Sequence, residues 1–398
     1  MYTFKIDIEK ADYDKFLYEN NASFMQEIGW AYVKNNWEHL TCGVYDNNKL
    51  VATALILIRK IAKGFNMFYI PRGYVIDFTN KDLLEFMTNN VKKLAKKYKA
   101  YVVKIDPNFC INEYYIKNKD EKLDFYSKDF EKKHNNLLSL GYKHTGLKKD
   151  LHSNFQPRYN MAISLIDKNH DKLTYDDLLK TLKSKVRYYI GDYHTKRGVY
   201  YSCSYDKSDI KEFVRLLECT EKNKNIHLRN EKYFSRMMDN FEGRVCLLFG
   251  KVNLKEYLNY LKENNEKEER IKQTIEAIKT DGEIITLSSA LLLLPNTKSV
   301  KVSEYLYAGN DLRFRELNVS GEIALQAAKI SIEKNCKYCN LGGVSGTLDD
   351  QLSVFKAKYN TVLLEFAGEY DLVISKFKYR FINRFKPILK KIYKLIKK

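Results

Sequence analysis

At 398 residues the chain exceeds one ordinary core, and its 44% hydrophobic content is enough to fill two. A net charge of +19 points to a polyanionic partner: nucleic acid, an anionic membrane or a phosphorylated substrate. With 5 prolines, an N-terminus lacking a basic segment before an apolar run, and no stretch of about 18 uncharged apolar residues, no disordered linker, signal peptide or membrane-spanning helix is expected.

Two segments of the chain share one order of elements. In the first, TCGVYDN and KLVATALILI read as a hairpin from Leu40 onward, and NMFYIPRGYVIDF follows as an extended segment. A helix is predicted next, with Asn80 as N-cap and Leu83, Leu84, Met87, Val91 and Leu94 on its apolar face. AYVVKIDP closes the unit as a strand. In the second, RVCLLFGKV and EIITLSSALLLL form the hairpin, SVKVSEYLYAG the next strand, SGEIALQAAKISIEKN the helix and KYCNLGGV the closing strand.

The second hairpin is interrupted by residues 252–281. Leu254, Tyr257, Leu258 and Leu261, then Ile271, Ile275 and Ile278, predict two antiparallel helices joined by a polar turn. Their narrow apolar stripes suggest an arm. It is either a solvated insertion or a surface that touches tRNA or another partner.

The seven cysteines are scattered, which suits a reducing cytoplasm better than a disulfide framework. Cys336 and Cys339 form a CxxC, yet no second pair of ligands lies nearby, so burial in the closing strand is expected rather than a metal site. The histidines show no HxxxH-type spacing, no Ser–His–Asp or Cys–His set is evident, and no GxxxxGK[ST] loop occurs. Hairpin, strand, helix, strand is the core order of the N-acyltransferase fold related to GCN5. The expected class is α/β (α+β): two tandem GCN5-related N-acyltransferase-like domains, at residues 1–150 and 151–367, with a short antiparallel helical arm inserted in the second.

Eight segments run in order along nearly the whole chain: FMQEIGWAYVKNNW (24–37), YIPRGYVIDF (69–78), VVKIDP (102–107), FQPRYNMAISL (155–165), IHLRNEKYF (226–234), YLYAG (305–309), LGGV (341–344) and VFKAKYN with EFAGEYDLV (354–373). Together they resemble landmark segments of the Fem-type peptidoglycan bridge-forming aminoacyltransferases. The resemblance implies a donor, aminoacyl-tRNA carrying Gly, Ala or Ser. It implies an acceptor amine on the stem peptide of a peptidoglycan precursor, either lipid II or the soluble UDP-linked muropeptide, with the arm favouring lipid II. An activated ester becomes an amide, so no cofactor is expected. The enzyme is expected to act as a cytoplasmic monomer, at the inner face of the plasma membrane if the tail holds it there.

Residue by residue, Lys356 in VFKAKYN matches the family lysine that faces the developing oxyanion, with Phe355 beside it as an anchor. Lys34 and Arg229 match a phosphate-contacting pair, and the Arg fork suits phosphate oxygens. Tyr233, four residues after Arg229 and expected on the same helix face, matches a tyrosine at the precursor. Tyr101 and Tyr307 match two further site tyrosines. His227 departs from the family, where a hydroxyl residue stands. Asp106, at the end of its strand, could orient or deprotonate the attacking amine. Each has a plain structural alternative: a solvated lysine, aromatic packing for the tyrosines, and a turn carboxylate before Pro107 for Asp106.

Residues 376–398 contain ten Lys/Arg and no acid. Phe377, Phe381, Phe385, Leu389, Ile392 and Ile396 recur at helical steps, with Pro387 expected to kink the helix. The first part should pack on the N-terminal domain. The last turns could lie on an anionic membrane or against tRNA phosphates. Two other functions fit the bulk features. An acyl-CoA N-acyltransferase would need a [RQ]xxGx[GA] turn at a helix start, which FTNKDLLEF and LNVSGEIAL lack. A tRNA- or membrane-binding relative could have lost the chemistry.

Overall fold

The computed structural model describes residues 1–122 and 129–385, the side chains of 118–122 excepted. The chain divides into two compact units. One comprises residues 1–113, 122–159 and 364–398, the other 114–121 and 160–363. Both hold a mixed sheet with helices packed against it.

The first unit's seven-stranded sheet runs in the order Tyr2–Ile6, Glu38–Asp46, Lys49–Ala62, Phe65–Ile70, Ala100–Ile105, Tyr370–Val373, Tyr142–His144. The predicted hairpin turns on Asn47 and Asn48, both at positive φ, the conformation a two-residue turn between twisted strands demands. Asn80 caps the Lys81–Lys97 helix by accepting from the Leu83 amide (3.1 Å). Leu83, Leu84, Met87, Val91 and Leu94 pack into the core against the sheet. Only Phe65–Ile70 and Ala100–Ile105 pair in parallel, as a crossover helix between them allows.

The second sheet has nine strands, with Val245–Asn253, Ile284–Leu293, Val302–Asn310 and Tyr338–Val344 adjacent in that order. The helix Val319–Glu333 connects the last two, which again pair in parallel. The interrupting helices are Leu254–Glu263 and Glu268–Asp281. They are not a solvated projection. Leu254, Tyr257, Leu261 and Ala277 join a core cluster with Phe314, Leu317 and Val319, because one stripe on each helix is wide enough to reach the sheet end.

The segment from residue 370 to 385 belongs to the first unit. Tyr370–Val373 adds a strand antiparallel to Ala100–Ile105, and residues 376–385 follow as a helix. Phe381 packs on Phe65 and Lys378 Nζ donates to the Gly64 carbonyl (2.7 Å). Leu389, Ile392, Ile396 and the Pro387 kink lie outside the described residues. No helix among the described residues is long and apolar enough to cross a membrane.

Candidate active site

In each unit the two parallel strands part at their C-terminal ends, and chemistry-bearing residues collect where they part. In the second unit only Val302↔Tyr338, Ser303↔Cys339 and Glu304↔Asn340 pair, although the strands continue to Asn310 and Val344. Val302–Asn310 instead follows Ile284–Leu293, with a bulge at Leu291/Leu292. The result is a gap bounded by Tyr305 on one side and Gly342 and Gly343 on the other. Gly342 has φ +82°, and a Cβ built there would lie 3.9 Å from Lys356 Nζ and 4.0 Å from the Tyr305 carbonyl oxygen. The positive φ favours a glycine there, and a Cβ would sit at ordinary contact distance from the lysine tip.

Lys356 ends the Gln351–Lys356 helix, which Asp350 caps by accepting from the Leu352 and Ser353 amides. Its side chain is buried (7% exposed) and donates one hydrogen bond within the described residues, to the Gly343 carbonyl (2.9 Å). Burial pulls its ammonium down to about 7, against which the Asp350 charge acts. An ammonium so placed keeps N–H groups for a ligand and can carry or release a proton near neutrality.

Beside it, Phe355 lines a cavity of about 480 Å³ with Tyr189, Tyr359, Val186 and Ile190. Lys183, Lys185, Arg315 and Lys358 also line it, opposed by Glu316. Asn318 and Gly321, at the start of the 15-residue helix Val319–Glu333, complete the lining. Cations and an amide-bearing helix start favour an anion, and the aromatic walls favour a flat ring.

Arg229 does not share a helix with Tyr233. Asn230 caps the Glu231–Asn240 helix by accepting from the Tyr233 amide, so the helix begins after Arg229. The guanidinium still reaches over the Tyr233 ring, 5.3 Å from its centre. Tyr307 donates to the Tyr233 hydroxyl (3.2 Å), and burial holds the Tyr233 phenol above its ordinary value. These three residues form one cluster in the second unit, and His227 is exposed in the loop before it.

In the first unit the parallel strands stay paired up to Ile70↔Ile105 and part immediately after. Asp106 sits there, buried, accepting from the Tyr69 hydroxyl (2.8 Å) and the Arg72 amide (2.6 Å). Burial lifts its carboxyl to about 6, opposed by the Arg72 charge and the Tyr69 hydrogen bond. Tyr69 also contacts Phe155 and Trp37, and accepts from Gln156 (3.3 Å). Lys34 follows the Ile28–Val33 helix and lies 4.5 Å from the Trp30 ring centre. Tyr101 is removed from Asp106. It is the extra residue of a bulge, packed on Tyr379 near the charged set of Lys104, Glu369 and Asp371. Sequence reasoning missed that set and Tyr69; the alternation of Val102, Lys104 and Asp106 on one strand was the available signal.

Cys336 and Cys339 are buried free thiols. Among the described residues no three or more His, Cys, Asp or Glu converge as a metal group.

Comparison with known proteins agrees with this architecture. Residues 8–270 and 262–387 match the FemAB family. The chain is 28% identical to the lipid II:glycine glycyltransferase of Staphylococcus aureus strain MRSA252, with 97% of each chain covered, and equally to that of strain USA300. The crystal structure of FemX superposes with a TM-score of 0.75 at 23% identity, covering 96% of this chain and 99% of that one, which establishes the shared fold. With family matches that span almost all of its length, this chain belongs to the FemAB family.

Proposed function

We propose that this protein moves an amino acid, glycine by the name of its relatives, from aminoacyl-tRNA to the stem-peptide amine of lipid II, building the peptidoglycan bridge. The observation that carries the reading is Lys356: a buried ammonium with N–H groups to spare, in a strand gap, on the helix whose Phe355 lines a basic and aromatic cavity. The cavity suits the terminal nucleotide of a charged tRNA, whose phosphate meets the cations and whose base meets the rings.

In the reaction the acceptor nitrogen bonds to the ester carbonyl carbon and the ester C–O bond breaks. The arriving ammonium loses two protons: one leaves on the ribose oxygen and the other passes to water. Lys356 faces the carbonyl oxygen as negative charge builds there. One such donor typically contributes about 3–4 kcal/mol to the transition state. Asp106, with both oxygens held by the protein's own donors, positions the strand end rather than taking the proton. Arg229, over the Tyr233 ring that Tyr307 supports, is the second unit's candidate for the precursor's phosphates, and Lys34 is the first unit's. The basic helix that begins at residue 376 exposes Phe377 and Phe381 and offers a peripheral contact to an anionic membrane.

The test is transfer of labelled glycine from charged tRNA to purified lipid II and to the UDP-linked muropeptide. Product from lipid II is expected. Failure with both acceptors, together with saturable acetyl-CoA binding, would replace this reading with that of an acyl-CoA enzyme.

A further inference from the structure

Residues 183–197, KSKVRYYIGDYHTKR, contain five Lys/Arg against one Asp, and three tyrosines. They fold as two short helices, Ser184–Tyr188 and Asp192–Thr195, and the first, with its flanking Lys183 and Tyr189, forms part of the cavity wall. Tyr188, Tyr189 and Tyr193 contact one another with ring centres 4.9–5.4 Å apart. Tyr188 is 64% exposed, so the outer ring of the cluster meets solvent.

This segment is held rigidly from behind. His194 is buried, its Nε2 hydrogen-bonded to the Leu317 carbonyl (2.6 Å) and its Nδ1 to the Glu322 carboxylate. Tyr193 donates to the Glu316 carbonyl (3.2 Å). The Arg197 guanidinium lies 3.6 Å from the Tyr193 ring centre and 4.1 Å from that of Tyr260, which belongs to the inserted helix pair. The helix pair thus braces the segment through Tyr260.

We infer that the Tyr188 face, flanked by Lys185 and Arg187, is a stacking platform for the unpaired 3′ nucleotides of an RNA whose last nucleotide enters the adjoining cavity. The inference rests on the donor being a charged tRNA. Two features favour RNA: a π-face for a base, and cations spaced for the phosphates on either side of it. The continuity of platform and cavity lets one strand use both. A duplex has no free base to stack and would engage only the charges.

The experiment measures binding by anisotropy of two labelled RNAs: a hairpin with a four-nucleotide single-stranded 3′ tail, and the same hairpin blunt. The wild type, Tyr188→Ala, Tyr188→Phe and Arg187→Gln are compared across a salt series. Tyr188→Ala should weaken the tailed RNA by roughly tenfold, the scale of one lost base stack, and leave the blunt hairpin unchanged. Tyr188→Phe should bind as the wild type does. Arg187→Gln should lower the salt slope for the tailed RNA by about 0.7, one single-strand phosphate contact. Equal binding of the tailed RNA by Tyr188→Ala and the wild type would overturn the platform and leave the tRNA reading standing. A wild type that binds neither RNA would overturn both. If Tyr188→Ala instead loses binding to phosphatidylglycerol vesicles with RNA binding intact, the face belongs to a membrane and the inference fails.

Discussion

The two units resolve the same geometric problem in opposite ways. Where the parallel strands part in the first, a carboxylate fills the opening, and both its oxygens are taken by Tyr69 and Arg72. Where they part in the second, two glycines line the opening, and a lysine tip enters it with one hydrogen bond to the protein among the described residues. Burial pushes both groups toward neutrality, Asp106 up to about 6 and Lys356 down to about 7. What separates them is how each is held. A buried carboxylate with a protein donor on each oxygen is fixed in place, and an ammonium with unused donors is available for a ligand.

The strongest way to break this contrast is Lys356→Met. Met keeps the chain length and removes the charge, and the loss of a contact made mainly in the transition state should slow transfer by about a hundred- to thousandfold with little change in substrate binding. Single-turnover transfer at saturating acceptor measures it. A variant within about threefold of wild type would make Lys356 an ordinary lysine, since an oxyanion contact contributes far more. Stability should move the other way. With the folded value near 7 and the unfolded value at 10.5, the unfolded chain binds more protons between them. Lys356 therefore costs most stability below pH 7 and progressively less as the pH rises toward 10.5. Lys356→Met should melt higher than wild type at pH 7, and the gap should narrow by pH 10.

Next in size are Lys34→Ala and Arg229→Ala. On the proposed function each would remove a charge-assisted contact to phosphate and should weaken precursor binding by roughly tenfold or more while leaving tRNA binding intact. Calorimetry with lipid II in detergent, run beside tRNA binding, checks both arms. Wild-type precursor affinity in both variants would remove these residues from the acceptor site.

Asp106→Asn sharpens the contrast from the carboxylate side. Asn keeps an oxygen for the Arg72 amide, so turnover should fall by less than about tenfold, well short of the Lys356 loss. A raised carboxyl favours the folded state at low pH. That stability is complete below the unfolded value of 3.8 and is lost as pH rises through about 6. The variant's melting temperature should therefore change less between pH 4 and pH 6.5 than the wild type's. A turnover loss equal to that of Lys356→Met would make Asp106 a second reactive centre.

The local features were legible because local chemistry sets them. Asn47 and Asn48 mark a hairpin turn, and Asn80 followed by an apolar period marks a helix start. The interrupting helices were legible as elements, but not their burial, which depends on Phe314 and Val319 reaching them from far along the chain. Lys356 could be picked out only through the company of its segment. Nothing in VFKAKYN states that its lysine tip meets the Gly343 carbonyl, over a dozen residues earlier, in a buried position. The strand Tyr370–Val373 has four residues and pairs with a strand more than 260 positions away, a separation no periodicity reports. The segment 183–197 escaped notice because its helices are too short to establish an apolar period, so its lysines and tyrosines read as surface.

The smallest expected effect concerns the tyrosine pair and decides whether it belongs with the reactive opening or with the core. Tyr307 lies on the strand that swings away to open the gap, two residues past Tyr305. Its hydroxyl donates to that of Tyr233, whose ring lies beneath the Arg229 guanidinium. Tyr307→Phe keeps the ring against Phe234 and deletes only the hydrogen bond, worth about 0.5–1.5 kcal/mol. If the pair merely packs, the variant should melt slightly lower and bind precursor normally. If the pair orients Arg229, precursor affinity should fall a few-fold, a change of about 1 kcal/mol or less. The effect should also vanish in an Arg229→Ala background, where no guanidinium remains to orient. That double-mutant cycle separates the two cases, because core packing predicts that the two losses simply add.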